Sequence, residues 1–285
     1  MKSELKQLLD RIDNLKAEVD KFKPLKPEQE QRLMQKMRLD WNYHSSHIEG
    51  NTLTYGETKA LLFWGITAGG KPIKDIIEMR GHDKVVQSLF EIIKEKNRPL
   101  TENFIREMHE IILGEPYEID AITPDGKPMK RKVEPGRYKQ FPNHVKTKDG
   151  SIFYFASPEE TPAKMMDLMN WLKDNDNELH PLITAATFHY QFVRIHPFED
   201  GNGRMARILM NFILMMHDFP PGTISTDDRE GYLQSLAYAD SGDLEKFIEY
   251  IGTQEIASLE LVLKAAKGEV IEEDYDLDKL VESLK

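Results

Sequence analysis

Twelve consecutive residues in the C-terminal half of the chain carry the side chains best suited to chemistry. Residues 196–207 read His-Pro-Phe-Glu-Asp-Gly-Asn-Gly-Arg-Met-Ala-Arg. Gly201 and Gly203 permit left-handed backbone or close approach, and Asn202 tolerates both. A helix that begins at such a turn presents unpaired N–H groups, and its dipole favours an anion there. The turn therefore predicts a phosphate-binding site at a helix N-terminus.

Charged side chains around this turn add the other parts of a reaction centre. Arg204 and Arg207 are three residues apart on one helix face, so both can reach an oligophosphate. Asp200 supplies one hard carboxylate, which suits Mg²⁺ shared with substrate phosphates. His196 titrates near neutrality and suits a general base, and Phe198 is expected to turn inward and anchor the loop. The set predicts transfer of part of a nucleotide, or of a phosphoryl group, to a nucleophile.

The pattern His-x-Phe-x-Asp-Gly-Asn-Gly-Arg-x-x-Arg resembles the signature of the Fic (filamentation induced by cAMP) family at every fixed position. Three other stretches resemble flanking elements of that family: residues 180–195 the helix before the signature, Pro135–Lys139 with Val145 the flap hairpin, and residues 158–172 the helix after the flap. The resemblance covers about residues 40–255. It implies a mostly α fold, a Fic-type helical bundle with a small β-hairpin flap.

The resemblance also implies an activity, namely transfer of AMP from ATP to a Ser, Thr or Tyr hydroxyl of a target protein. On this basis His196 would deprotonate the hydroxyl, Asp200 would bind Mg²⁺, and Arg207 would hold the γ-phosphate. The nucleotide-binding residues that it implies are Asp200, Gly201, Asn202, Gly203, Arg204, Arg207, Tyr232 and Val145. Tyr232 is the position where the family often places an aromatic ring near the adenine.

Two positions depart from the family pattern. Lys139 stands where an arginine is common in the flap, and Met205-Ala206 replaces the frequent Thr-Gly pair. Neither position supplies essential chemistry, so the departures concern the register of the flap alone. Gly203 argues against the branch of the family that phosphorylates its targets, because that branch has a lysine there.

A second pattern lies about 150 residues upstream and involves Ser45, Glu49 and Gly50. It resembles the family's inhibitory motif, Ser/Thr-x-x-x-Glu-Gly/Asn, in the class II arrangement that places the inhibitory helix ahead of the core. A glutamate near Arg207 would form a charge-assisted, bidentate pair and occupy the donors that the γ-phosphate needs. The alternative is an ordinary helix C-terminus, with Gly50 after the last turn and Glu49 in solvent.

Two further functions stay open at the level of sequence. The chain could remove AMP from modified proteins, with Glu49 aligning a water molecule, or it could be a nucleotide-binding regulator without robust transferase activity. ATP labelled separately at the α- and γ-phosphates distinguishes adenylylation from phosphorylation, and from both alternatives.

Three regions are expected: an N-terminal helical region at 1–98 with the inhibitory motif at 45–50, a catalytic core at 99–255, and a helical tail at 256–285. Within the core, the flap is expected at about 135–155. Helices are predicted at 28–48, 56–68, 75–96, 101–113, 161–174, 181–195, 203–217, 228–240 and 242–266, with Asp75 and Thr101 as N-caps. Short β-segments are predicted at 138–141, 144–146 and 151–155.

The first helix and the flap region each allow two interpretations. Leu5, Leu8, Ile12, Leu15, Val19 and Phe22 follow heptad spacing, which fits either a helix packed on the protein's own body or a coiled coil, for instance in a homodimer. The segment around the flap is basic, with Lys127, Lys130, Arg131, Lys132, Arg137, Lys139, Lys146 and Lys148. It is either a solvated hairpin or a lip that attracts an anionic ligand.

Composition excludes several classes of protein. The chain has 285 residues, 38 basic and 49 acidic side chains, a net charge of −11 and no cysteine. The acidic balance argues against nucleic acid as a partner. The lack of cysteine excludes disulfides, thiolate metal sites and a cysteine nucleophile. No signal peptide or membrane span is recognised, so a cytoplasmic location is expected.

Overall fold

A computed structural model describes residues 3–67, 69–96, 98–123, 125–146, 150 and 152–271. Within them the chain forms helices and two separate antiparallel hairpins, β1–β2 and β3–β4. The helices are α1 Ser3–Asp20, α2 Pro27–Ile48, α3 Tyr55–Trp64, α4 Ile73–Glu95, α5 Glu102–Leu113, α6 Thr161–Asn175, α7 Pro181–Ile195, α8 Asn202–Met216, α9 Arg229–Asp240 and α10 Leu244–Lys267. The strands are β1 Tyr117–Ile122, β2 Pro128–Val133, β3 His144–Lys146 and β4 Ile152–Tyr154. The predicted helical fold with a hairpin flap is confirmed.

Helix α8 is the centre of the molecule. Every residue from Arg204 to Met215 is buried. Apart from Arg204, Arg207 and Asn211 this part of the helix is apolar, so other elements must enclose it. Helices α2, α4, α5 and α7 pack around it. The first turn of α8 therefore stands on a fixed base, and the polar residues of that turn face the reaction centre.

Helix α1 packs against α10 of the same chain. Leu5, Ile12 and Val19 are buried there, whereas Phe22 follows the end of the helix and is 39% exposed. At Gly252 the two helices come so close that a Cβ atom would collide with Leu8. Of the two interpretations of the heptad spacing, packing on the protein's own body describes this structure.

Most predicted helix boundaries agree with the structure to within a few residues. Helix α7 is bounded as predicted, because Pro181 occupies its first turn and Pro197 follows its end. Thr101 caps α5 by accepting a hydrogen bond from Phe104 N–H. The end of the acidic tail, residues 272–285, lies outside the described residues. Among the described residues, no helix is both long and apolar enough to cross a membrane.

Three local predictions are wrong. Asp75 does not cap α4, which begins after Pro72; its carboxylate instead accepts hydrogen bonds from the Thr52 N–H and hydroxyl. Residues 138–141 form no strand, because the N–H groups of residues 139–141 bond to Pro197 and Glu199 in the loop between α7 and α8. The β1–β2 hairpin was not predicted at all. Its two strands pair from Tyr117 with Val133 to Ile122 with Pro128.

Candidate active site

The loop between α7 and α8 holds the predicted reaction centre in a fixed shape. His196 ends α7 with φ +52° and Gly201 precedes α8 with φ +79°, so both turns use left-handed backbone. The Asn202 side chain closes the loop: its Oδ1 accepts from Phe198 N–H at 2.9 Å, and its Nδ2 donates to Phe198 O at 2.9 Å. The Phe198 ring is fully buried and stacks on His109, with 3.7 Å between ring centroids. The prediction that Phe198 anchors the loop is confirmed.

The imidazole of His196 has a defined hydrogen bond and a lowered pKa. Its Nδ1 lies 3.3 Å from Val193 O, and donation of the Nδ1 proton to that carbonyl leaves Nε2 unprotonated. The ring stacks on Phe155 at 4.0 Å. Burial, and after it the positive charge of Lys139, lower the pKa of His196 to about 4. The imidazole is therefore neutral at pH 7 and can accept a proton at Nε2.

The flap segment is tied to this loop by contacts that sequence reasoning missed. His109 Nε2 lies 3.0 Å from Asp200 O, and its Nδ1 accepts from Gly136 N–H at 2.8 Å. Glu199 Oε1 accepts from the N–H groups of Gln140 and Phe141 at 2.9 and 3.0 Å. No sequence pattern pointed to these two residues, because their partners lie tens of residues away along the chain.

Lys139 has a structural role at the same junction. Its N–H donates to Pro197 O at 2.8 Å, and its ammonium donates to Ile195 O at 3.1 Å. Burial lowers the pKa of Lys139 to about 8. The lysine that replaces the family's common arginine thus joins the flap segment to the end of α7.

The basic residues of the flap region are largely balanced by neighbouring carboxylates. The pairs are Lys127–Asp125, Lys130–Asp120, Arg131–Glu199, Lys132–Glu134 and Arg137–Glu134. The side chains of Lys146 and Lys148 lie outside the description. Of the two interpretations of this segment, the hairpin with locally paired charges fits better than an anion-attracting lip.

Asp200 stands beside the N-terminus of α8 and is held ionised. Its Oδ1 accepts from Gly201 N–H at 2.6 Å and its Oδ2 accepts from the Tyr117 hydroxyl at 2.5 Å. Arg204 and Lys74 lie 3.7 and 3.8 Å away. Burial opposes ionisation, but Arg204, Tyr117 and Gly201 together hold the pKa of Asp200 below its usual range.

The donor atoms around Asp200 determine whether Mg²⁺ fits at this position. The described residues contain no group of three or more His, Cys, Asp or Glu side chains that could enclose a metal ion. One ionised carboxylate at the lip of a phosphate-binding turn is what Mg²⁺ requires when most of its remaining ligands are phosphates and water. Asp200 therefore fits an ion that receives most of its ligands from a nucleotide and from water.

Arg204 does not point freely toward a phosphate. It is 3% exposed, and its Nη1 lies 2.8 Å from Glu78 Oε2 on α4. Sequence reasoning missed Glu78, because its partner Arg204 belongs to a distant part of the chain. The N–H groups of the first turn of α8 therefore form the candidate phosphate nest, while Arg204 pairs with Glu78.

Arg207 is held by the upstream motif. Its Nη2 donates to Glu49 Oε1 at 2.8 Å and to Ser45 O at 2.8 Å, while its Nε donates to Ser45 Oγ at 3.0 Å. The contact with Glu49 uses one guanidinium nitrogen, so the predicted bidentate pair is wrong in detail. Ser45 accepts from Nε and shares Nη2 with Glu49, while Nη1 is buried without a hydrogen-bond partner among the described residues. Gly50, with φ +93°, turns the chain directly after Glu49.

The Glu49 carboxylate also fills the space above the nest. A Cβ atom built on Gly203 would collide with Glu49 Oε1, and it would lie 3.2 Å from Arg207 Nη1. A side chain at position 203 would therefore displace the Glu49 carboxylate from its place beside Arg207. Gly50 does follow the end of the helix, as the helix-end alternative states. The other part of that alternative is wrong, because the Glu49 carboxylate contacts Arg207 rather than solvent alone, although its side chain keeps 38% exposure.

Of two further nucleotide contacts implied by the resemblance, the structure contradicts Tyr232, whereas Val145 stays a prediction. Tyr232 is 3% exposed, and its hydroxyl lies 3.0 Å from His189 Nε2, so the ring is part of the core and has no free face for an adenine. Val145 is 47% exposed on β3. It lines a cleft of about 800 Å³ between the two hairpins, which also contains His196.

Comparison with known proteins agrees with this geometry. A family model described as Fic/DOC family matches residues 99–214. The crystal structure of a Fic domain containing signaling protein from Bacteroides thetaiotaomicron is 40% identical, with a TM-score of 0.83, and covers 93% of this chain and 100% of that one. This chain belongs to the Fic/DOC family.

Relatives with a named activity are also similar. A structure of Fic-1 (residues 134–508) from Caenorhabditis elegans is 30% identical with a TM-score of 0.75, and covers 93% of this chain and 73% of that one. The curated protein adenylyltransferase fic-1 of the same species is 32% identical over 83% of this chain and 43% of its own length. Protein adenylyltransferase Fic of Nematostella vectensis is 36% identical over 73% and 45%. This chain thus spans less than half the length of these curated relatives.

Proposed function

We propose that this protein is a protein adenylyltransferase that transfers AMP from ATP to a Ser, Thr or Tyr hydroxyl of a target protein. The observation that carries the proposal is the placement of His196 and Asp200 on one loop that opens onto the N-terminus of α8. The loop thereby joins a base, a carboxylate for a metal ion and a phosphate nest. The names of the curated relatives support the same reaction.

In the proposed reaction the target hydroxyl oxygen attacks the α-phosphorus of ATP. A bond forms from that oxygen to phosphorus, the bond from phosphorus to the bridging oxygen of the β-phosphate breaks, and pyrophosphate leaves. The hydroxyl proton goes to His196 Nε2, which the Nδ1 contact with Val193 O leaves unprotonated. The N–H groups at the start of α8 stabilise the charge that develops on the phosphate oxygens.

Asp200 is the residue that would hold Mg²⁺, together with the nucleotide's own phosphates. The ion supplies positive charge against the phosphate oxygens. Arg207 would bind the γ-phosphate, and this role distinguishes the site from a pocket that only binds a nucleotide. The γ-phosphate departs with pyrophosphate, so its position sets the direction in which the hydroxyl attacks the α-phosphorus.

The target is proposed to enter the cleft between the two hairpins. Phe155 and His196 form part of its lining, and Ile122, Val145 and Ile152 are exposed apolar residues around it. The flap strand β3 pairs with β4 through three residues, and an extended segment of the target can add to such a hairpin by backbone pairing.

We infer that Glu49 keeps the resting protein inactive. The carboxylate takes one donor of Arg207 and stands over Gly203, where the γ-phosphate would need both space and charge. ATP can then bind only in an orientation that misaligns its α-phosphate. Release of Glu49 from Arg207 is the step that allows transfer.

The proposal is tested with the Glu49→Gly variant and ATP labelled with ³²P at either the α- or the γ-phosphate. The expected result is protein-bound label from α-labelled ATP alone. Label from γ-labelled ATP would indicate phosphorylation instead. No label from either, with ATP binding intact, would overturn the transferase proposal in favour of a regulator or an AMP-removing hydrolase, and release of AMP from an adenylylated protein would identify the latter.

A further inference from the structure

Two charged residues of helix α4, Lys74 and Glu78, lie beside the loop between α7 and α8 and have no role in the reaction described above. Lys74 Nζ lies 3.8 Å from Asp200 Oδ2 and 3.6 Å from Glu78 Oε1. One ammonium group thus lies within 4 Å of two carboxylates.

 Asp200 is separated from Lys74 by 126 positions and from Glu78 by 122, so it is the packing of α4 beside the loop that brings the three groups together.

Glu78 has one satisfied and one unsatisfied oxygen. Its Oε2 pairs with Arg204 Nη1 at 2.8 Å. Its Oε1 is buried and finds no hydrogen-bond partner among the described residues, although Lys74 lies nearby. The residue as a whole is 8% exposed. A buried carboxylate oxygen without a donor is costly, and such an atom in a native site calls for an explanation.

Lys74 differs from the other cation of this cluster in how it is held. Arg204 is buried at 3% exposure, whereas the Lys74 side chain is 51% exposed. The Lys74 ammonium lies 4.6 Å from the centroid of the Tyr117 ring, and both of its carboxylate contacts are longer than a hydrogen bond. Lysine is flexible and strongly hydrated, so its ammonium can leave for solvent at little cost.

We propose that the Lys74 ammonium occupies the gap between Asp200 and Glu78 in the nucleotide-free protein. The divalent cation takes this gap when ATP binds. Glu78 is then the second carboxylate of the metal site, beside the ion but outside its direct ligands. The proposal rests on the proposed function, because the ion is the one that accompanies ATP. Asp200 and Glu78 carry two negative charges, which Arg204 and Lys74 balance. A divalent ion therefore enters favourably when the ammonium leaves.

The chemistry of Mg²⁺ explains why Glu78 has an oxygen without a donor. Mg²⁺ keeps several bound waters, and carboxylates outside the direct ligand set orient such ligands by accepting their hydrogen bonds. Glu78 Oε1 is an acceptor of this kind, since Oε2 is already used by Arg204.

The test measures Mn²⁺ binding to the nucleotide-free protein from the electron paramagnetic resonance signal of free Mn²⁺. Lys74→Met is expected to bind Mn²⁺ about tenfold more tightly than the wild type, because a competing charge is removed at about 4 Å from both carboxylates. Glu78→Gln is expected to bind it about tenfold more weakly, and Asp200→Asn should lose binding.

A matched pair of control variants lies close by. Lys71 and Glu57 form an ion pair at 3.0 Å that involves neither carboxylate of the proposed site. Lys71→Met and Glu57→Gln should therefore leave the Mn²⁺ affinity unchanged. If Glu78→Gln fails to fold, the half-exposed Lys74 decides the matter alone.

Mn²⁺ affinity in Lys74→Met equal to or weaker than that of the wild type would overturn the inference. This outcome is separate from failure of the proposed function, because the binding measurement needs neither ATP nor transfer. Transfer of α-label by Glu49→Gly together with unchanged Mn²⁺ affinity in Lys74→Met would leave the transferase proposal standing and remove only the role of Lys74 and Glu78.

Discussion

Replacement of Glu49 by glycine is the perturbation with the clearest expected effect. The substitution removes the carboxylate that contacts Arg207 at 2.8 Å and vacates the space above Gly203. Position 49 lies just beyond the last residue of α2, with φ −88° and ψ 5°. Glycine adopts this backbone freely, so the helix itself is not expected to unfold.

The magnitude follows from the contact that is lost. A hydrogen bond between charged groups contributes about 1.5–3 kcal/mol, which corresponds to a factor of about 10–150 in an equilibrium. Arg207 is buried, but the Glu49 side chain is 38% exposed, and solvent screening favours the lower end of that range. We expect self-adenylylation to rise about 10- to 30-fold over the wild type.

The assay is the initial rate of protein labelling with α-labelled ATP at saturating nucleotide. Glu49→Gln keeps the shape of the side chain without its charge and should give an intermediate rate. The double variant Glu49→Gly with Arg207→Ala should fall back to the wild-type rate or below, because the released guanidinium is then absent. A Glu49→Gly rate no higher than that of the wild type, toward itself and several candidate targets, would refute the inhibitory role.

Three further predictions concern inhibition and stability. Ser45→Ala removes the hydroxyl that accepts from Arg207 Nε and should raise labelling about fivefold, since one hydrogen bond contributes about 1 kcal/mol; an unchanged rate would exclude Ser45 from the restraint. Glu255 is fully buried without a partner for either oxygen among the described residues, and burial raises its pKa well above the usual value. The folded state therefore binds the proton more tightly than the unfolded state, and the stability of the protein falls as pH rises above the unfolded pKa. Glu255→Gln should raise the melting temperature at pH 8, and raise it less at pH 5. Equal shifts at both pH values would contradict the buried, protonated state of Glu255. Ile12→Ala on the buried side of α1 should lower the free energy of unfolding by about 2–5 kcal/mol in urea titrations, whereas Phe22→Ala, on an exposed residue of the same heptad spacing, should change it little.

The helical part of the fold could be predicted because its signals are local. Pro181 and Pro197 bracket α7, and Thr101 supplies a capping hydroxyl at the start of α5. The Asp75 cap was predicted wrongly because its carboxylate is engaged by Thr52, a residue from another element. A local rule cannot anticipate a competing partner that only the fold brings close.

The β1–β2 hairpin shows a signal that could have been used. Residues 117–121 alternate between apolar and polar side chains, and the alternation matches their burial. The prolines at 116, 124 and 128 favoured a loop instead. Residues 138–141 gave the opposite error, because β-forming side chains there are held by loop contacts and have no strand partner.

The reaction centre could be predicted to the extent that its residues lie in one short motif. The turn at 196–207 and its link to Glu49 followed from residue types and from the family resemblance. The supporting residues His109, Glu199 and Glu78 could not be found in this way, since each acts through a tertiary contact with the loop or with Arg204. Tyr232 shows the converse limit, because sequence gives no measure of burial for an aromatic residue.

His196 is expected to act as the base in AMP transfer once the Glu49 carboxylate is removed. This role is tested most directly by intact-mass spectrometry of Glu49→Gly and of the double variant Glu49→Gly with His196→Ala, each incubated with ATP. The first protein should gain the mass of one or more AMP groups, and the second should gain none while its ATP affinity changes by a few-fold at most, because loss of a general base lowers the rate by about 10²–10⁴. An equal gain of AMP in both proteins would contradict the role of His196, and no gain in either would contradict the proposed activity.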